Sequence, residues 1–145
     1  NDMLSDVLGI QRSGRETFAD GCGRIGTTMP TTTAALAQFC AKTLHSGVKF
    51  VDSARPVTRL AEVSGGGGSY LQAAIDLGAD CLVTGEAAHH IALLAKQKGV
   101  GLVVAGPWGT ENTIADVLAQ ILHEHFPALD IAHAESDTDP YQYLV

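Results

Sequence analysis

The chain has 145 residues, 46% hydrophobic and 17% charged, with a formal net charge of −7. This is the composition of a globular domain with its own core, not of a disordered segment, and its acidic balance argues against nonspecific nucleic-acid binding, which needs a Lys/Arg excess. No apolar run approaches the ~20 residues of a membrane span, and no basic-then-apolar leader opens the chain, so a cytoplasmic protein is expected.

Residues 1–10 set Met3, Leu4, Val7 and Leu8 on one face and close at Gly9, which predicts a short amphipathic helix. A start so close to that helix suggests a piece of a longer protein. Residues 11–26 read as irregular, with a strand near 17–19 and a turn at 21–23. Residues 27–33 favour extended chain and then a helix start, with Pro30 in a loop or first turn and Thr31 or Thr32 as the cap. Leu36, Phe39, Cys40 and Leu44 recur at three- and four-residue steps and predict a helix over 34–45. Gly47 closes it, residues 48–51 alternate as a strand, and Arg55-Pro56 turns the chain.

Leu60, Ala61 and Val63 then form a short strand stopped by Gly65, Gly66, Gly67 and Gly68. Ser69 stands where a helix cap would, and Leu71, Ala74, Ile75 and Leu77 recur at helical spacing. Gly78 ends that helix as a left-handed C′ residue, and Cys81, Leu82 and Val83 make the next strand. A strand–helix–strand unit of this size implies parallel strands and a right-handed crossover. The same rhythm repeats: a helix over 90–98 stopped by Gly99, a strand over 101–105, a turn over 106–110 and a helix over 111–125. Ile114, Val117, Leu118, Ile121 and Leu122 are expected as the last helix's core stripe. Pro127 bars its continuation, residues 129–132 read as a final short strand, and 137–145 as a tail. The expectation is one α/β domain over 1–145, with a largely parallel or mixed sheet and helices packed on it.

Cys22, Cys40 and Cys81 are widely spaced without CxxC, which reads as reduced small hydrophobes. In α/β units ligands sit beyond the carboxyl ends of the strands, where both polar turns fall. Consecutive amides of the glycine run and Ser69 can cradle an anion; the alternative is a tight turn where backbone must approach backbone. Glu86 precedes His90 by four residues, so on a helix the two would share a face and could hold a metal or do acid–base work. The plain alternative is a carboxylate near a helix start and a half-buried histidine. His123 and His125 read as partners of a helix C-terminus. In AGPWGTEN (105–112), Glu111 opens a helix directly after a strand, while Trp108 stacks on a base or covers the sheet's end.

GRIG (23–26), SGGGGS (64–69), GADCLVTGE (78–86) with His90, AGPWGTEN (105–112) and DTDPYQYL (137–144) together resemble the GTP cyclohydrolase type 2 homologue family. It is also described as NGG-interacting-factor-like or dinuclear-metal-centre. The likeness covers essentially the whole chain but only the C-terminal half of a typical member. It implies that half's fold, a hydrolase-like site for phosphorylated or nucleotide-like substrates, a pair of divalent ions (Zn, Mn or Fe), and a homo-oligomer, hexameric in the family. In such proteins a preceding half supplies a His-His pair and an Asp, and this half adds a His and a Glu in a GHxxTE pattern. Glu111 falls at the Glu position and Pro107, which cannot ligate, at the His position. His90 matches a family His lining the same cleft, so Glu111 and His90 are the metal candidates. The resemblance thus implies an enzyme half with an incomplete metal site, inactive by itself; the alternative is a noncatalytic module that binds a small anion or serves in an oligomer. Tyr141, Tyr143, Leu144 and Val145 would join such an interface or cap the sheet.

Overall fold

The structure is a computed structural model and describes residues 1–143; Leu144 and Val145 of the expected apolar tail lie outside them. At its centre β4 (Pro56–Val63), β5 (Cys81–Thr84) and β6 (Gly101–Val104) run parallel, with Leu60 opposite Cys81 and Cys81 opposite Gly101. These strands read as apolar runs because both of their faces are covered. On one face Leu60, Cys81, Val83 and Val103 pack under α1 (Asp2–Val7) and α2 (Thr33–Thr43). On the other, Ala61, Val63, Leu82 and Leu102 pack under α3 (Leu71–Asp76) and α4 (His89–Lys98), the two crossover helices.

Antiparallel strands extend both edges. The order is β1-β2-β4-β5-β6-β3, with β1 (Glu16–Phe18) on β2 (Gly23–Thr32), β2 on β4, and β3 (Lys49–Val51) on β6. The sheet is therefore mixed rather than largely parallel. GRIG, expected as irregular chain, opens the long strand β2. Its glycines serve packing instead of turning: a Cβ on Gly23 would overlap the Phe18 ring, and one on Gly26 would lie 2.9 Å from Ile10 Cγ2. Pro30 is tolerated inside β2 because the register with β4 shifts between Thr27 and Thr31. Thr32 caps α2 as expected, its Oγ1 accepting from the Ala35 amide at 3.1 Å.

Ser69 does not cap a helix. It lies inside a 3₁₀ turn, Gly68–Tyr70, that runs into α3, and it makes no capping bond. The helix expected from Glu111 is two: α5 (Pro107–Glu111), with proline in its first turn, and α6 (Thr113–His125). The expected core stripe of α6 faces water, with Ile114, Leu118, Ile121 and Leu122 41–51% exposed. Residues 129–132 form no strand. His125 Nδ1 sits 2.9 Å from Ile121 O at the end of α6, as a helix-terminus partner should. Cys40 and Cys81 are buried and Cys22 is exposed. Among the described residues no helix is long and apolar enough to cross a membrane.

Candidate functional site at the glycine turn

β4 and β5 end side by side, and two buried hydroxyls lace the turn after β4 to its neighbours, Thr84 to the end of β5 and Thr110 to the turn after β6. Gly65 takes φ +64°, a left-handed conformation that favours glycine. Its carbonyl accepts from the Gly85 amide (2.8 Å), the Glu86 amide (2.9 Å) and Thr84 Oγ1 (3.0 Å). Its amide donates to Thr110 Oγ1 at 3.1 Å, and Thr110 Oγ1 donates onward to Gly106 O at 2.9 Å. The Gly67 amide donates to Thr84 Oγ1 at 2.9 Å, and the Gly68 amide to Glu86 O at 3.0 Å.

The chain segments approach too closely for side chains. A Cβ on Gly67 would overlap Val63, one on Gly68 would lie 2.7 Å from Ala87 Cα, and one on Gly85 2.7 Å from Gly65 O. This is the geometry of the tight-turn reading. The amides of Gly65, Gly67 and Gly68 are bonded within the protein.

Two carboxylates stand over this turn. Glu111 Oε1 lies 3.0 Å from the point a Gly65 Cβ would occupy, and Glu86 Oε2 lies 4.0 Å from the corresponding point on Gly66. The parallel topology thus brings the glycine turn, Glu86 and Glu111 to one mouth. Glu111 gets there from the end of α5, not from the start of a helix. Pro107 and Glu111 bracket α5 four residues apart, hence on one face.

Other candidates fall outside this arrangement. Glu86 precedes α4, which begins at His89, so the shared helical face expected for Glu86 and His90 does not form. His89 and His90 are both exposed at the head of α4. Trp108 is tied to the tail, its Nε1 donating to Asp137 Oδ1 at 3.3 Å. Among the described residues no group of three or more His, Cys, Asp or Glu side chains could hold a metal ion.

Two features escaped the sequence reading. Glu62 is fully buried in β4, where Oε1 accepts from Ser5 Oγ at 2.8 Å and Oε2 has no partner. Burial pushes its carboxyl up to about 7. Its one signal was a charge inside the apolar run of β4. The second feature is a cavity of about 610 Å³ beside Glu86, also lined by Lys49, Pro107, Tyr141 and Tyr143. The tail folds back to make one wall of it: a Cβ on Gly47 would overlap the Tyr143 ring, and Tyr143 Oη donates to Asp139 Oδ2 at 2.7 Å.

Residues 1–140 match the family described as Duf34/NIF3 (NGG1p interacting factor 3). A Staphylococcus aureus (strain COL) protein named GTP cyclohydrolase 1 type 2 homolog is 35% identical over 102 residues, covering 67% of this chain and 28% of its own length. A Streptococcus pneumoniae protein of the same name is 29% identical over 160 residues, covering 99% of this chain and 59% of its own. Among solved structures, Staphylococcus aureus hypothetical protein SA1388 matches with a TM-score of 0.84 over 99% of this chain and 63% of that chain. At 23% identity this last likeness is one of fold. The chain spans less than two thirds of the length of each of these relatives.

Proposed function

This chain belongs to the Duf34/NIF3 family, and on that premise we propose that it forms one wall of a hydrolase-like site acting on phosphorylated, nucleotide-like substrates. Glu111 is its retained metal-facing carboxylate, with Glu86 beside it; His90, exposed at the head of α4, is not counted among its donors. The donors that would complete the site come from outside residues 1–143. The reading rests on one observation: Pro107 and Glu111 occupy the two ends of α5 on one face, and Glu111 reaches the glycine turn.

A pair of divalent ions such as zinc, manganese or iron needs several carboxylate and imidazole donors and a bridging water. Two carboxylates with a proline at the imidazole position do not fit such a centre. No reaction step is therefore assigned to this chain alone. The paired negative charge at the turn favours a cation there over an anion.

The test is metal content after dialysis against zinc or manganese, alongside turnover of p-nitrophenyl phosphate and GTP. The expected result is substoichiometric metal and no turnover. Pro107→His, which restores an imidazole one turn before Glu111, is expected to raise zinc affinity by roughly tenfold or more, and adding Glu111→Gln to abolish the gain. Tight stoichiometric zinc in the unaltered protein, or no gain in Pro107→His, overturns the reading.

A further inference from the structure

The cavity beside Glu86 is built by four segments far apart in the chain: the start of β3, the loop after β5, the turn from β6 into α5 and the C-terminal tail. Its volume of about 610 Å³ falls within the roughly 300–1,000 Å³ typical of small-molecule sites. A smaller groove of about 180 Å³ continues it across β3 to His89, and Lys49 lines both.

Lys49 is the cation of this lining. Arg12, Arg15, Arg24 and Arg59 each pair with a carboxylate; among the described residues Lys49, like Lys42, Arg55, Lys96 and Lys98, has no acidic partner, and of these five it alone lines the cavity. In an acidic protein, an ammonium at the junction of two hollows is a place for a ligand's negative charge. Glu86, in the same lining, repels a second negative charge and accepts from an N–H or O–H donor on the ligand.

The tail's contribution to the lining is aromatic. Tyr141 and Tyr143 are 68% and 51% exposed although both line a concave surface. Tyr143 is held by its packing on Gly47 and its bond to Asp139, so stacking on it costs little side-chain ordering. Exposed ring surface and a cation in one lining select a flat ligand with one charged end.

We propose that this cleft binds a planar aromatic or heteroaromatic molecule carrying one negatively charged group, the ring against Tyr141 and Tyr143 and the charge on Lys49. The cleft shares Glu86 and Pro107 with the mouth described above but does not include Glu111, and the proposal holds whether or not a metal binds there.

The test is an amide NMR titration in EDTA with phenyl phosphate and benzoate, so that its failure leaves the zinc experiment standing. At least one probe is expected to perturb residues around Lys49, Glu86, Tyr141 and Tyr143 with a Kd of about 1 mM, the tighter of the two identifying the charged group. Cyclohexyl analogues and phenol are expected to bind about fivefold more weakly, Lys49→Gln to weaken the better probe about tenfold, and Tyr141→Leu about fivefold. Both side chains are exposed, and unchanged spectra elsewhere certify that the variants fold. Perturbations that map elsewhere, a Kd beyond ~10 mM for both probes, equal binding of the cyclohexyl analogues, or undiminished binding by Lys49→Gln overturns the proposal.

Discussion

The Glu111 carboxylate occupies the space that a side chain on Gly65 would need: a Cβ there would lie 3.0 Å from Oε1 and 3.3 Å from Oε2. Gly65 is also left-handed at φ +64°, so two independent constraints exclude a larger residue. Gly66 has neither, its Cβ meeting nothing nearer than Glu86 Oε2 at 4.0 Å. Gly65→Ala is expected to cost about 1–2 kcal/mol in urea unfolding, against ~0.5 kcal/mol or less for Gly66→Ala. Part of the Gly65→Ala loss should disappear when Glu111→Ala is added, because the crowding is then relieved. Equal losses at the two glycines would show that neither constraint operates.

The lacing of the two turns depends on Thr84 more than on any other side chain. Its hydroxyl is fully buried, accepts from the Gly67 amide and donates to Gly65 O. Thr84→Val keeps the shape but strands those groups, at an expected cost of about 1–3 kcal/mol. Thr84→Ser keeps the bonds and loses only a methyl, about 0.8 kcal/mol. The urea midpoint of the valine variant should therefore fall below that of the serine variant; the reverse order would mean that packing, not hydrogen bonding, holds the turn.

The central parallel unit was legible because its strands are short apolar runs punctuated by glycines, and the shared mouth followed from parallel strands ending on one edge. β2 was hidden because Gly23 and Gly26 carry the residue type of a turn while serving the close approach of Phe18 and Ile10. Pro107 marks the helix start, four residues before Glu111, where the apolar spacing alone points. Periodicity announced the apolar face of α6 but says nothing about what covers it. The Lys49–Tyr143 cleft joins distant segments that share no local pattern.

Buried Glu62 makes stability depend on pH in a direction opposite to most carboxylates. Its carboxyl is raised from 4.5 to about 7 by burial, so the folded state holds a proton that the unfolded chain releases. Its contribution is fully present below pH 4.5 and declines as pH rises through about 7, where it levels off. The decline is on the order of 3 kcal/mol. Glu62→Gln cannot ionise and can still accept from Ser5 Oγ, so it should flatten this slope and be the more stable protein at pH 8. Urea unfolding at pH 5, 6, 7 and 8 measures both; parallel profiles for the two proteins would mean that Glu62 titrates as it does in the unfolded chain.

Leu118 separates the two roles open to α6. A leucine in a packed core loses about 2–5 kcal/mol on truncation, whereas one that is 51% exposed on a stripe with Ile114, Ile121 and Leu122 should lose little. Leu118→Lys is thus expected to shift folding stability by ~0.5 kcal/mol or less. The same stripe, prolonged by Phe126 at 57% exposure, is an apolar face left in water, the kind of surface that marks association between chains. Sedimentation velocity of the unaltered protein is expected to give a mass above one chain, and Leu118→Lys to bring it toward one chain at unchanged urea midpoint. A large fall in that midpoint would instead return the stripe to the role that its periodicity first suggested, a face that the fold itself needs covered.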